Sequence, residues 1–233
     1  ICVSSKTIED ALIQVGYDKE RLFVTGNPKY DYLKKLDVNK ARKIISRKYK
    51  IDLTKKIIVI GMSRWHENDH VWISELIKFS NLNNIEIIIK THPIYKIREN
   101  DLNKNKLEKI ANSCSSETYH VIEDIEMPTL LSASNLLITD YSNTGIEAVL
   151  LEKPVISVNI SKEDWPDVQQ RLEKYNAAIY VENYSELIYT IKDIFQKGEI
   201  FETLIKGRGK ASEIFNHSND GRSAERVFKL LDI

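Results

Sequence analysis

Residues 136–159, LLITDYSNTGIEAVLLEKPVISVN, decide the fold. The apolar run LLITD (136–140) stops at an acidic, hydroxyl-rich turn. A helical pattern follows over 143–151, and a second apolar run, PVISVN (154–159), begins at a proline. Runs that are apolar along their whole length are typical of strands covered on both faces. The stretch therefore predicts a strand, a crossover helix and a second, parallel strand.

The same alternation of apolar runs and amphipathic segments continues along most of the chain. Strands are predicted over 1–5, 22–26, 56–62, 85–92, 119–124, 136–140, 154–159 and 178–183. Helices are predicted over 6–15, 68–81, 102–113, 127–134, 143–151, 165–175 and 185–197, and residues 199–233 are predicted to be helical only. The pattern indicates an α/β fold with a doubly wound parallel sheet.

Composition limits the classes of partner. The 34 basic and 34 acidic residues balance, which argues against duplex nucleic acid as a partner. No apolar run reaches membrane-spanning length, so any membrane association is expected to be peripheral. Cys2 and Cys114 are too few and too far apart for a disulfide framework, which is typical of the cytoplasm. The chain begins ICVSSKTIEDAL, without an initiator Met, and we expect an N-terminal part to precede it.

The turn after LLITD is the first candidate site. In parallel sheets the carboxyl ends of the strands share one edge, where ligands bind. Asp140, Ser142, Asn143, Thr144 and Gly145 follow such a strand. We expect one of the three polar residues at 142–144 to cap the next helix, and Gly145 to expose amides that attract phosphate. The alternative is an ordinary capped turn.

Further charged residues fall at predicted strand ends. Asp140 and Glu147 bracket the first turns of one helix, where a carboxylate could accept hydrogen bonds from ribose hydroxyls. The alternative for Glu147 is a first-turn carboxylate favoured by the helix dipole. Lys90 and His92 end the strand of IIIKTHP (87–93) and offer a cation and a proton carrier.

The segment GMSRWHEND (61–69) also follows a strand. Its Arg64 suits a phosphate or diphosphate. His66 and His70 have the i, i+4 spacing of metal ligands, but no matching third ligand is evident, so zinc is not favoured.

The segment HSNDGRSAERVFKLL (217–231) favours a capped terminal helix that docks on the body, with Asp220 and Arg222 as candidates only. The patterns GxGxxG, GxxxxGK[ST] and GxSxG do not occur. Dinucleotide, P-loop and nucleophile-elbow chemistry therefore lose support.

With these residues in place, the chain resembles the C-terminal nucleotide-binding half of GT-B fold enzymes. KTHP, LLITDYSN and DGRSAERV are similar to the KxHP, LITDYSS and DGxASER patterns of CDP-glycerol glycerophosphotransferases of the teichoic-acid type. VTGNPKYDYL (24–33), SRWHEN (63–68) and TGIEAVLLEKPV (144–155) resemble non-hydrolysing UDP-N-acetylglucosamine 2-epimerases. Ser63 departs from the first His of the epimerase loop, and Asn143 from the second Ser of the transferase turn.

The resemblance implies a domain organisation and roles for the candidates. Residues 1–36 would end an incomplete N-terminal Rossmann-like domain, 37–52 would connect the domains, and 53–233 would form the C-terminal donor-binding domain. The last helix is expected to return toward the N-terminal half. The donor diphosphate would face Ser142, Asn143 and Thr144, and the ribose would be held by Glu147. Lys90 and His92 would lie near the phosphates or the leaving group, with His92 as the catalytic residue. Arg64 would be a further phosphate contact.

The implied activity is transfer of a sugar or glycerophosphate group from a UDP- or CDP-linked donor. The acceptor would be a cell-surface polysaccharide or a polyol-phosphate polymer, bound by the N-terminal domain in the cytoplasm or at the inner face of the cell membrane. The donor is a substrate, and neither a metal nor a cofactor is expected. A 2-epimerase and a non-catalytic nucleotide- or sugar-binding module remain as alternatives.

Overall fold

The computed structural model of the protein describes residues 1–63, 69–91, 118–140, 142–162 and 172–231. Its strands are β1 (Cys2–Val3), β2 (Phe23–Val24), β3 (Lys56–Gly61), β4 (Ile85–Lys90), β5 (Tyr119–Ile122), β6 (Leu136–Thr139), β7 (Val155–Val158) and β8 (Ile179–Val181). Its α-helices are α1 (Lys6–Gln14), α2 (Val38–Tyr49), α3 (Asp69–Leu82), α4 (Met127–Ala133), α5 (Thr144–Leu150), α6 (Tyr184–Gln196), α7 (Glu199–Phe215) and α8 (Ser223–Lys229). Short 3-10 helices lie at Lys19–Arg21, Pro28–Lys35 and Leu172–Tyr175.

Six strands form one parallel sheet in the order β5-β4-β3-β6-β7-β8, and β1 and β2 form a separate parallel pair. Numbered within the large sheet this order is 3-2-1-4-5-6, the doubly wound arrangement in which the chain reverses direction between the two central strands. The predicted fold class is therefore confirmed. The reversal lies between β3 and β6, where Val59 pairs with Leu137.

The apolar runs form strands because both faces of the sheet are covered. Along β3, Ile57 and Val59 belong to one core cluster, and Ile58 and Ile60 belong to the other. All four are fully buried. Successive side chains of a strand point to opposite faces, so an uninterrupted apolar run supplies two cores at once.

Two predicted helices have a different outcome from the rest. The helix expected over 102–113 lies outside the described residues. Of the helix expected over 165–175, residues 165–171 also lie outside them, and Leu172–Tyr175 forms a 3-10 helix. None of the helices in the described ranges combines the length and the apolar character that crossing a membrane requires.

The segment expected to connect the domains is a packed helix. Asp37 accepts a hydrogen bond from the Lys40 N–H at 3.0 Å and so caps α2. Ala41 and Ile45 are buried in the same core cluster as residues of α4. The domain boundaries at 36 and 52 stay a prediction, but the segment is part of the helical layer on one face of the large sheet.

The last helix docks on the first part of the chain. The Asp31 carboxylate accepts hydrogen bonds from the backbone N–H groups of Ser223 at 3.0 Å and Ala224 at 2.8 Å, at the start of α8. Gly26 has a φ of +81°, and a Cβ atom there would collide with the Ser223 hydroxyl. Arg226 also donates to the Thr25 carbonyl at 2.7 Å. The segments VTGN and DGRSAER therefore pack against each other and hold the last helix on the first part of the chain.

Candidate functional site

A cleft of about 590 Å³ opens at the carboxyl edge of the large sheet, at the point where the strand order reverses. We call it the switch-point cleft. The ends of four strands and the first 3-10 helix after β2 line it: Lys29, Gly61, Met62, Lys90, Thr91, Glu123–Pro128, Ser142, Thr144 and Glu147. Open α/β sheets bind ligands at this position, and the volume suits a small molecule.

The turn after β6 is fixed by Asp140. This carboxylate is 5% exposed and accepts hydrogen bonds from the Ser142 N–H at 3.0 Å and the Ser63 N–H at 2.8 Å. The Ser63 hydroxyl also donates to it. Beside it, the Thr139 hydroxyl donates to the Gly61 carbonyl at 2.6 Å. These bonds join the turns after β3 and β6. Asp140 is not among the residues that line the cleft, but it fixes the two turns that supply Met62 and Ser142 to it.

The helix start agrees with the expectation in one respect and differs from it in another. Asn143 stands at the N-cap position with helical φ and ψ, and its side chain makes no cap bond within the described residues. The Ser142 hydroxyl instead accepts a hydrogen bond from the Thr144 N–H at 3.4 Å, and it lies 2.7 Å from the Thr144 hydroxyl. The Gly145 N–H donates to the Ser142 carbonyl at 3.0 Å, so the expectation that it is exposed for phosphate is wrong. Gly145 is a packing residue, because a Cβ atom there would lie 2.7 Å from Leu172 Cδ1.

Glu147 is the most distinctive acid in the cleft. Its side chain is 14% exposed, and the Lys29 ammonium lies 3.7 Å from its Oε1 atom. Burial raises the pKa of Glu147, and the positive charge of Lys29 opposes that rise only in part. Burial, followed by the charges of Glu147 and Glu126, raises the pKa of Tyr32 to about 12. Glu147 is thus a desolvated acceptor held beside the Lys29 ammonium and the Tyr30 and Tyr32 phenols.

Lys90 supplies a second cation to the cleft. It ends β4, is 8% exposed, and donates from its Nζ atom to the Glu123 carbonyl at 2.7 Å. That bond fixes the ammonium against the segment after β5. The structure thus brings Lys90, Ser142, Thr144 and Glu147 to one cleft. The roles assigned to these residues stay predictions.

Arg64, His66 and His92 lie outside the described residues, so their predicted roles stay predictions. His70 is exposed on α3. Over the residues that the structure describes, no three His, Cys, Asp or Glu side chains gather as a metal ion would require.

Asp220 and Arg222, the candidates near the C-terminus, do not line the switch-point cleft. Arg226 forms a two-pronged ion pair with Asp220, at 2.8 and 3.0 Å, and this pair and the Arg222 N–H hold the pKa of Asp220 at about 2. Arg222 pairs with Glu225 in the same manner. The favoured interpretation, a capped helix docked on the body, therefore agrees with the structure.

Sequence reasoning missed Lys29 as a cleft residue. It lies in the 3-10 helix Pro28–Lys35, directly after VTGN, and was assigned to a different domain from Glu147. Nothing in local spacing predicts a contact between such distant segments. The VTGN motif was the available signal, because it fixes the chain just ahead of Lys29 through Gly26 and its contact with α8.

An open parallel sheet of this order, with a polar cleft at its reversal point, defines a Rossmann-like α/β protein, and its solved structural neighbours are of the GT-B type. The chain belongs to the CDP-Glycerol:Poly(glycerophosphate) glycerophosphotransferase family, whose model matches residues 2–232. The structure of the wall teichoic acid polymerase TagF superposes with a TM-score of 0.70 at 14% identity, over 99% of this chain and 56% of that one. At that identity the likeness shows the fold alone.

Two curated relatives carry different activities in their names. A UDP-N-acetylglucosamine 2-epimerase of Campylobacter jejuni is 28% identical over 94% of this chain and 57% of its own length. The teichoic acid ribitol-phosphate polymerase TarL of Staphylococcus aureus is 25% identical over 67% of this chain and 25% of its own length. The resemblance to both groups is therefore confirmed. The chain spans little more than half of the first relative.

Proposed function

We propose that this chain is the donor-binding half of a transferase. It would move a sugar or glycerophosphate group from a UDP- or CDP-linked donor to a cell-surface polysaccharide or polyol-phosphate polymer. The observation that supports this proposal most strongly is the position of Glu147, a desolvated carboxylate beside Lys29 in a cleft at the switch point of the sheet. A carboxylate at that place suits ribose hydroxyls, which donate hydrogen bonds to it.

The cations of the cleft match the other end of such a donor. Lys90 is held at a strand end and lines the cleft, where a diphosphate could lie between it and the 142–144 turn. The leaving group departs as an anion, so a fixed cation lowers the barrier by stabilising charge that develops during transfer. Arg64 and His92 are proposed as further donors to the same anion, with His92 as the catalytic residue.

A 2-epimerase is the second candidate, favoured by the Campylobacter relative that matches 94% of the chain. The same nucleotide site would then serve elimination and re-addition of UDP, with no acceptor. Glu147 and Lys90 would keep their proposed contacts, because both reactions begin from a bound nucleotide diphosphate.

The two candidates are separated by product analysis of the whole protein. With UDP-N-acetylglucosamine or CDP-glycerol as donor, transfer is expected to release UDP or CMP only when an acceptor polymer is added. Formation of UDP-N-acetylmannosamine without an acceptor would contradict the transferase and support the epimerase. A protein that binds donor but forms no product under either condition would support the non-catalytic binding module.

The Lys29→Gln variant tests the arrangement around Glu147. Without the ammonium, burial is no longer opposed, so the pKa of Glu147 rises further. The ionised form, which accepts the ribose hydroxyls, exists above that pKa and is lost as the pH falls through it. Nucleotide binding measured against pH should therefore be lost at a higher pH in Lys29→Gln than in the wild type.

The matched control for that variant is Lys35→Gln, at an exposed lysine of the same 3-10 helix. It should leave the pH midpoint of binding unchanged. Equal midpoints in both variants and the wild type would show that Lys29 has no influence on the ionisation of Glu147 in the nucleotide site.

A further inference from the structure

A second polar cleft, of about 250 Å³, lies at the opposite edge of the sheet, where the strands begin. Lys56 starts β3, Asn135 precedes β6 and Pro154 precedes β7, while the end of α6 and one side of α7 form the walls. Four cationic side chains line this cleft: Lys56, Lys153, Lys197 and Arg208. Glu152 is the acid that lines it among the described residues.

Two of the four cations of this cleft are bonded to backbone carbonyls. Lys153 donates from Nζ to the carbonyls of Ser132 at 3.0 Å and Ser134 at 2.9 Å. Arg208 donates to the carbonyl of Glu152. In the part of the chain that the structure describes, none of the four lining cations forms an ion pair with a carboxylate.

The negative carboxyl ends of nearby helices neutralise only part of the positive charge of this cleft. The carboxyl ends of α4, α5 and α6 meet at this edge, and each carries about half a negative charge. Arg42 adds a further cation by donating to the Ala133 carbonyl at 3.1 Å. Against five cations, the helix ends and Glu152 leave an excess of about two to three positive charges. Burial, and then the charges of Arg42 and Arg208, lowers the pKa of Lys153, as expected where cations crowd together.

The cleft continues into a neighbouring one. A depression of about 210 Å³ shares Glu152 and Arg208 with it and extends along α7 to Ser212 and, beyond the end of that helix, to Asn219. We call the two together the basic groove. Its length favours an extended ligand over a single small ion, and its charge favours repeated negative groups.

We propose that the basic groove binds a linear chain of phosphodiesters, the polyol-phosphate acceptor of the reaction proposed above. The identity of the chain rests on that proposed function, whereas the preference for a polyanion rests on the groove itself. The groove and the switch-point cleft lie at opposite edges of the sheet. The groove therefore holds a part of the polymer remote from its reacting end and keeps the polymer on the protein between transfers.

Nuclear magnetic resonance titration of the chain tests this site directly, because it reports on both edges at once. The probes are a short synthetic glycerol phosphate oligomer, inorganic phosphate and neutral dextran. The oligomer is expected to shift the backbone amides of 152–153, 195–198 and 208, and inorganic phosphate to require at least about 10-fold higher concentration. Equal affinity for inorganic phosphate, an equal response to dextran, or shifts confined to 142–147 would overturn the proposal.

The double variant Lys56→Gln, Lys197→Gln removes two exposed charges of the groove and leaves its buried bonds intact. It should weaken oligomer binding about 10-fold. The control, Lys206→Gln with Lys210→Gln, changes two exposed lysines of α7 that do not line the groove and should have little effect. Equal losses of oligomer affinity in the two double variants would overturn the proposal. Failure of a nucleotide to shift 142–147, with oligomer binding intact, would refute the donor site alone.

Discussion

Replacing Glu147 with Gln is expected to weaken nucleotide binding about 10- to 100-fold. An ionised acceptor contributes about 1.5–3 kcal/mol through hydrogen bonds to ribose hydroxyls, and about 1.4 kcal/mol corresponds to tenfold in affinity. The free energy of unfolding should change by less than about 1 kcal/mol. The ion pair to Lys29 is 3.7 Å long with a largely exposed lysine, and a neutral amide is easier to bury than a carboxylate.

Calorimetric titration and urea unfolding of the same preparations measure both quantities. Glu20→Gln, in the exposed 3-10 helix Lys19–Arg21, is the matched control and should change neither. If Glu147→Gln binds nucleotide as tightly as the control does, the ribose assignment is wrong.

Replacing Asp31 with Ala is expected to lower the free energy of unfolding by about 2–3 kcal/mol. The variant loses the cap of α8 and leaves the buried N–H of Ser223 without its acceptor, and each loss costs about 1 kcal/mol or more. The docking of the last helix on the first segment depends on this carboxylate. Asp37→Ala, which removes the single cap bond of α2 at an exposed position, should cost only about 1 kcal/mol.

The pH dependence of this stability has a definite sign. Burial alone would raise the pKa of Asp31, but the N–H groups of Ala224 and Ser223, the Ser223 hydroxyl and Arg226 together hold it below its ordinary value. The contribution of Asp31 to the free energy of unfolding is therefore complete above its pKa in the unfolded chain, about 3.9. It is lost as the pH falls through the lower pKa of the folded protein. The difference in the free energy of unfolding between the wild type and Asp31→Ala should shrink in acid. A difference that stays constant, or one no larger than that caused by Asp37→Ala, would contradict this role.

The fold could be predicted from sequence because its strongest signal is local. Runs such as Ile57–Ile60 have no polar face, so only a sheet covered on both sides can bury them, and that sheet fixes the edge where strand ends gather. Lys90, Ser142, Thr144 and Glu147 were predicted at this edge and lie together in the cleft. Strand ends are therefore informative even without knowledge of the helices between them.

The remaining features depend on contacts between distant segments. Lys29 reaches Glu147 only because Gly26, Asp31 and α8 fix the first segment against the body. Gly145 was interpreted as a phosphate-binding residue, yet its place is set by Leu172, which the turn itself does not reveal. Periodicity and turn chemistry describe neighbours along the chain, and these contacts are between residues that folding brings together.

Nucleotide binding by the chain is the central claim, and isothermal calorimetry with UDP, CDP and CDP-glycerol tests it most directly. At least one of the three is expected to bind with one-to-one stoichiometry. That affinity should fall in Glu147→Gln and remain in the Lys56→Gln, Lys197→Gln double variant, which alters only the opposite edge. Absence of binding to all three nucleotides by the folded wild-type chain would contradict the assignment of the switch-point cleft as a donor site.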